Sequence, residues 1–371
     1  MASSREQYDQ TTRRHVIDVE RRHGRGARSN ATGRFEKDVH EAFDDGWESL
    51  GQLEAFKTEV FEDTAKSIIA RNDSPDISFD GSINPYRGCE HGCIYCYARP
   101  SHCYLGHSAG LDFETKLYAK SDAAALLERE FAKPGYRPTT IAIGGNTDPY
   151  QPIERQRRIT RSILEVMART SHPLGIITKS ALVTRDIDIL QPMAAKGLAK
   201  VAVSITTLDR RVARAMEPRA ATPSRRLETV RQLSQAGIPV TVMVAPIIPG
   251  LTDHEIEPIL EAAREAGARD AGYVLLRLPL EIKTLFREWL AEEFPGRANR
   301  VISLLQSMHG GRDYTPEFGL RQRGKGPYAT QIALRFRLAK QRLGLGGERR
   351  GAMRTDLFEP PGDRGKQLKL L

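Results

Sequence analysis

Between residues 75 and 310, short apolar, β-branched runs alternate with amphipathic stretches. The hydrophobic period switches back and forth between two and about 3.6. Strands are expected around Ser82 and Ile83, and in TTIAIG (139–144), LGIITK (174–179), AKVAVSI (199–205), PVTVMVA (239–245) and AGYVLLR (271–277). Three of the stretches between them predict helices. One puts Ile159, Ile163, Val166 and Met167 on a single face, a second Leu227, Val230, Leu233 and Ala236, a third Ile256, Leu260 and Ala263. The segments AAKG, SQAG and REAG each place Gly just past the last apolar position, where a left-handed residue ends a helix. Six βα units at this spacing predict an α/β fold, with a parallel sheet and crossover helices. Curled, that sheet is an incomplete (β/α)6 TIM-like barrel with N- and C-terminal extensions, its functional loops at the C-terminal strand ends.

Outside that core the pattern weakens. Residues 1–34 hold Arg21, Arg22, Arg25, Arg28 and Arg34 with no apolar period, which reads as a disordered basic arm. Residues 35–74 carry the anchors Phe43, Trp47, Leu50, Phe56, Val60 and Phe61, expected to dock a short helical segment on the core of residues 75–310. In the extension of residues 311–371, 331–343 read as a basic helix with Phe336, Ala339 and Leu343 on one side. The final twenty or so residues, rich in Pro, Gly and charge, are expected to fray.

Composition narrows the class. The chain has 371 residues, 40% of them hydrophobic and 28% charged, ordinary for a globular protein with a real core. No apolar run approaches the roughly 20 residues of a membrane span, and MASSREQYDQ has no signal-peptide core, so a cytoplasmic location without a membrane partner is expected. The net charge of +9 favours anionic partners, nucleic acid among them. Arg335, Arg337, Lys340 and Arg342 add to the N-terminal arginines as candidates for steering a phosphate backbone.

The four cysteines fall within residues 89–103, and three of them, Cys89, Cys93 and Cys96, within RGCEHGCIYC. In a reducing compartment such clustering suggests metal or redox chemistry more than a disulfide frame. Gly88 and Gly92 give the loop freedom to wrap a centre. A [4Fe–4S] cluster with one iron left open uses all three thiols. A zinc site needs a fourth ligand, for which Cys103, His91, His102 and His107 are candidates. A redox pair of Cys93 and Cys96 leaves Cys89 idle.

Cys-x-x-x-Cys-x-x-Cys, with Tyr95 before the last cysteine and at the end of the first strand of a βα array, resembles the signature of the radical S-adenosylmethionine (SAM) enzymes. The resemblance implies that Cys89, Cys93 and Cys96 ligate a [4Fe–4S] cluster whose open iron is chelated by SAM, and that an electron from the cluster splits SAM into a 5′-deoxyadenosyl radical. A cytosolic electron donor such as a flavodoxin or ferredoxin is then required. GGNTDPYQPIE resembles the family's Gly-Gly-Glu-like segment for the SAM amino group: Gly144 and Gly145 match, Asn146 replaces the acid, and Asp148 is its candidate substitute. Lys179 is a candidate partner of the SAM carboxylate, Ser204 of the ribose or carboxylate, and APIIPGL (245–251) resembles the adenine-contacting segment.

INPYRGCEHGCIYCYARPSHCYLG, TKSALVTRDIDIL and EPRAATPSRRLETVRQLSQAGIPVTVMVAPIIPGL resemble bacterial radical SAM proteins related to spore photoproduct lyase, which reverses a thymine dimer in DNA. That lyase uses a hydrogen-donor cysteine near the end of the second strand, where this chain has Gly145 and Asn146. Tyr97, Tyr104 and Tyr150 are candidate radical relays, or packing residues, and Cys103 is a candidate buried apolar residue. The rival readings are a nucleic-acid-binding protein with a structural zinc or cluster loop, and a DNA-lesion lyase.

Overall fold

The structure is a computed structural model that describes residues 17, 21–36, 55–77, 79–346 and 353–362. Its strands are β1 (Glu59–Glu62), β2 (Ile69–Arg71), β3 (Gly81–Ile83), β4 (Tyr86–Arg87), β5 (Lys116–Ala119), β6 (Ile141–Ile143), β7 (Leu174–Thr178), β8 (Ala199–Ser204), β9 (Val240–Ile247) and β10 (Asp270–Leu275). The main sheet runs β10-β9-β8-β7-β6-β3-β2. All its neighbours are parallel except the β2–β3 edge pair. The six strands read from the sequence are the six parallel ones, in unbroken sequential order: an incomplete (β/α)6 barrel with an antiparallel edge strand.

The crossover helices include α1 (Ala123–Phe131), α2 (Ile159–Arg169), α3 (Ile187–Ala195), α4 (Pro223–Gln235) and α5 (Ile256–Glu265); α6 (Ile282–Glu293), α7 (Pro295–Met308) and α8 (Pro327–Arg342) follow the last strand. Gly197, Gly237 and Gly267 end α3, α4 and α5 at positive φ, as their sequence signals predict. Residues on one strand face are fully buried under these helices, as with Val201, Val203, Val240, Val242 and Leu275. On the other face Ile177, Ala202, Met243, Gly272 and Val274 are only half-buried. That alternation leaves the concave side open as a lumen.

Three expectations are corrected. The arginines of residues 21–34 are not a solvated arm. Arg22, Arg25 and Arg28 are buried: α6 offers Glu292 to Arg22 at 2.7 Å and Glu292 and Glu293 to Arg28, Arg25 donates to the carbonyls of Glu114 (2.9 Å) and Phe56 (3.1 Å), and Ser29 bonds Glu288 at 2.7 Å. The docking segment is extended where it is described: Val60 and Phe61 lie in β1, paired with β5, and Phe43, Trp47 and Leu50 lie outside the described residues. The tail does not fray at Phe358, whose ring meets Phe131, Tyr136 and His172. The basic helix α8 forms as expected, but Arg335, Lys340 and Arg342 are paired with Glu257, Asp270 and Glu261. Charges neutralised at home steer little, so the motive for an electrostatic arm is largely gone.

Burial also sets an acid limit. His102 and His172 are fully buried, and burial lowers both to about 4. His172 stacks on Phe131 at 4.4 Å and shares a 2.9 Å hydrogen bond with the Tyr136 hydroxyl. The unfolded chain takes protons on these rings near pH 6.5, before the folded one does, so stability falls as pH drops from about 6.5 towards 4. By pH 5 the expected loss is about 2 kcal/mol per histidine. Urea unfolding of wild type and His172→Gln at pH 7 and pH 5 checks it. Equal pH dependence in the two proteins would remove His172 from the account.

Candidate cluster and SAM site

The cysteine loop lies between β4 and the 3-10 turn Arg99–Leu105, at the C-terminal end of the sheet. It is folded inward by its own backbone: Gly92 N–H donates to Cys89 O (3.3 Å), Cys96 N–H to Cys93 O (3.1 Å) and Ile94 N–H to Met216 O (3.0 Å). Gly88 and Gly92 both have positive φ, and a Cβ on Gly92 would stand 2.6 Å from the Glu114 carboxylate. Only glycine fits there.

Beneath the loop sits a fully buried ion pair. The Arg99 guanidinium donates to the carbonyls of Cys93 (3.0 Å), Gly92 (3.1 Å), Ala109 (3.1 Å) and Gly110 (2.9 Å) and pairs with Glu114. Glu114 also accepts the N–H groups of Gly26 (2.9 Å) and Ala27 (2.8 Å), and Arg25 donates to its carbonyl at 2.9 Å. The N-terminal segment is thus a strap laid across the loop. Gln151 closes the other side, accepting from Glu90 N–H (2.8 Å) and donating to Gly88 O (3.2 Å).

All four cysteines are free. Burial pushes the thiols of Cys89, Cys93 and Cys96 up, and Lys179 opposes the rise at Cys93 and Cys96. Buried thiols of this kind become thiolates when a metal centre supplies the positive charge. Among the described residues no three His, Cys, Asp or Glu side chains are placed to share one metal ion. A cluster takes one thiolate per iron, so its ligands need not converge on a point, and three thiols spread round a loop fit it. Cys103 is fully buried in the main core, its thiol pushed up by burial, so it behaves as a small apolar residue.

The strand ends surround the loop. Gly144, at φ 91°, donates its N–H to Ile83 O (3.1 Å); a Cβ there would meet Ile177 O at 2.5 Å. Gly145 is roomier and offers its carbonyl to the Tyr97 hydroxyl. Asn146 is exposed, its N–H held by the Asn84 side chain at 2.8 Å. The Lys179 ammonium lies 5.7 Å from the Tyr95 ring centre and forms no ion pair among the described residues. The Tyr95 hydroxyl donates to Glu217, which also accepts from Thr206 (2.8 Å) and pairs with the buried Arg226. Arg226 in turn donates to the carbonyl of Ser204 at 3.0 Å, fixing the end of β8.

Asp148 is the exception among the expected contacts. Its carboxylate is used up inside the protein, by the Thr178 hydroxyl (2.7 Å), Lys179 N–H (2.7 Å), Tyr150 N–H (2.9 Å) and His91 (3.3 Å). Burial raises it, but the His91 ring and these donors outweigh burial and hold it down at about 2. Asp148 ties the ends of β6 and β7 to the cysteine loop and has little left to offer a ligand. Of the tyrosines, Tyr150 is buried on Asp186 (3.0 Å), Tyr104 stacks on Phe35, and only Tyr97 stands beside the Gly144–Gly145 turn. Arg99, Glu114, Glu217, Arg226 and Gln151 were not read from the sequence, although Arg226 precedes Val230 and Leu233 by four and seven positions and so falls on the buried face of α4.

A parallel sheet that places three free thiols on one loop at its C-terminal rim, near a lysine without an ion pair among the described residues and a glycine turn, defines an α/β protein with the side chains for a thiolate-held centre. The sequence profile of the radical SAM superfamily matches residues 83–263. An uncharacterised protein of Mycobacterium tuberculosis is 36% identical over 230 residues, 62% of this chain and 68% of that one. An uncharacterised protein of Methanocaldococcus jannaschii is 28% identical over 199 residues, 54% and 71% of the two chains. Among solved structures, spore photoproduct lyase complexed with dinucleoside spore photoproduct superposes at a TM-score of 0.55 and 17% identity, over 77% of this chain and 80% of that one. A variant of that lyase with bound AdoMet and the same dinucleoside gives 0.53 at 17% identity, with the same coverage of 77% and 80%. The chain belongs to the radical SAM superfamily, whose enzymes use a [4Fe–4S] cluster and SAM. Among the described residues no helix is long and apolar enough to cross a membrane.

Proposed function

We propose that this chain is a radical SAM enzyme that reductively cleaves SAM and directs the resulting radical at a substrate in the barrel lumen. One observation carries the reading: three free thiols sit on a braced loop, with the Gly144–Gly145 turn and Lys179, which has no ion pair among the described residues, at the neighbouring strand ends. Cys89, Cys93 and Cys96 would hold the cluster. When bound and reduced, it supplies the electron that splits SAM into methionine and a 5′-deoxyadenosyl radical. The protein's share is binding, orientation and exclusion of water. Lys179 attracts the SAM carboxylate, the backbone at Gly144, Gly145 and Asn146 meets its amino end, and Ser204 borders the ribose. Tyr95 holds Lys179 in place through its ring, anchored by Glu217. Four free thiols suit the cytosol, where a flavodoxin or ferredoxin would deliver the electron. Anaerobic incubation with SAM and dithionite tests the reading. Formation of 5′-deoxyadenosine is expected; none from cluster-loaded protein would overturn it.

Lys179→Met should keep the cluster and weaken SAM binding roughly ten- to hundredfold, the worth of one charge-assisted contact. Anaerobic equilibrium binding with iron content measured in parallel checks this. Unchanged affinity would move the SAM carboxylate elsewhere.

A second observation favours nucleic acid as the substrate. At the rim, exposed Tyr97 and Phe318 each lie under a guanidinium, Arg277 at 4.8 Å and Arg321 at 4.5 Å. Arg277 has no ion pair among the described residues. Unstacked bases pack on such rings, and Arg277 is free to neutralise phosphate where Arg321 is already paired with Asp76. Lesion reversal through a thiol is not supported, since the only cysteine outside the cluster motif, Cys103, is fully buried.

A further inference from the structure

A cleft of about 530 Å³ opens beside the cysteine loop, with His91 of that loop in its lining. Its walls come from three separate elements. The short helix Glu154–Arg157 contributes Arg155, the 3-10 turn Ala181–Asp186 contributes Arg185, and α4 with the turn before it contributes Arg225 and Arg219. None of the cluster cysteines, and none of Gly144, Gly145, Asn146, Lys179 and Ser204, lines it, so it adjoins the proposed SAM contacts without including them.

The charge in this cleft exceeds what the fold needs. Arg185 is held by Glu154 (2.8 Å) and Asp186 (2.8 Å), and Arg219 by Glu90 (3.1 Å). Arg155 and Arg225 form no ion pair among the described residues. The start of α4 adds to the positive field, its cap Thr222 accepting from Arg225 N–H. The volume falls within the roughly 300–1,000 Å³ of small-molecule sites. Guanidinium forks match phosphate oxygens two at a time.

We propose that this cleft binds a phosphate-bearing small molecule, a phosphomonoester or diphosphate, held by Arg155 and Arg225 with Arg185 and Arg219 behind them. Occupancy reaches the cysteine loop, because Arg219 also holds Glu90 and its N–H donates to His91 O at 3.4 Å. The same phosphate chemistry is present in a polynucleotide backbone. A recess walled on three sides suits a terminal phosphate better than a continuous strand.

Calorimetric titration of the cluster-loaded protein with inorganic pyrophosphate and with ribose 5-phosphate tests the proposal. Neither probe carries adenine, so the SAM pocket does not compete. Both should bind wild type, and the Arg155→Ala/Arg225→Ala double variant should bind them at least about tenfold more weakly, with its cluster absorbance unchanged. No binding of either probe, or equal binding by both proteins, overturns it. A short thymidine oligonucleotide is the third arm. If it alone binds, and the double variant loses it, the cleft serves a polynucleotide and the small-molecule proposal falls.

Discussion

Cys93→Ala protein, reconstituted with iron and sulfide without oxygen, is expected to carry no [4Fe–4S] cluster, and the same holds for Cys89→Ala and Cys96→Ala. Cys103→Ala should keep about four iron and four sulfide per chain. The difference follows from where the thiols lie. Three are turned into a loop whose carbonyls are gathered by Arg99, whereas Cys103 is fully buried in the core. A cluster with three protein ligands has none to spare, so one substitution removes the centre, while Cys103→Ala costs only about one buried sulfur's worth of packing. Iron and sulfide content with the visible absorbance decides the matter. If Cys103→Ala loses metal as completely as the others, the site has four ligands and no open iron for SAM.

The strands show why the barrel was readable in advance. β6, β7, β8 and β9 are apolar runs rich in Val and Ile, bounded by turn residues, and the glycines after α3, α4 and α5 sit at positive φ where sequence placed them. These are local signals, and so is the Cys89–Cys93–Cys96 spacing. The braces of the site are not local. Glu114 meets Gly26 and Ala27 across 88 and 87 residues, and Glu217 meets Tyr95 across 122. No hydrophobic period reports such pairs. The N-terminal arginines were misread for the same reason. A run of charge without an apolar face looks solvated until a matching set of carboxylates, here Glu292 and Glu293 on α6, is brought to it by the fold. Asp148 misled in the opposite direction: it lies in the right segment, but four internal donors claim its carboxylate before any ligand can.

The same geometry makes Glu114 the residue on which the loop most depends. Its side chain and that of Arg99 are both wholly inaccessible to solvent. Glu114→Ala leaves the guanidinium buried without a counter-charge and strips the acceptor from the Gly26 and Ala27 N–H groups. Breaking a buried pair from one side typically destabilises by about 3–5 kcal/mol. The strap of residues 21–36 loses its anchor on the loop at the same time, so damage to the cysteine site is expected beyond the loss of global stability. Glu114→Gln keeps the shape and one acceptor oxygen and should fall between the two. Urea unfolding of the cluster-free proteins gives the stability, and the rate at which oxygen bleaches the reconstituted cluster gives the local effect. An alanine variant within about 1 kcal/mol of wild type, bleaching at the wild-type rate, would show that Arg99 finds another partner and that the strap does not guard the cluster.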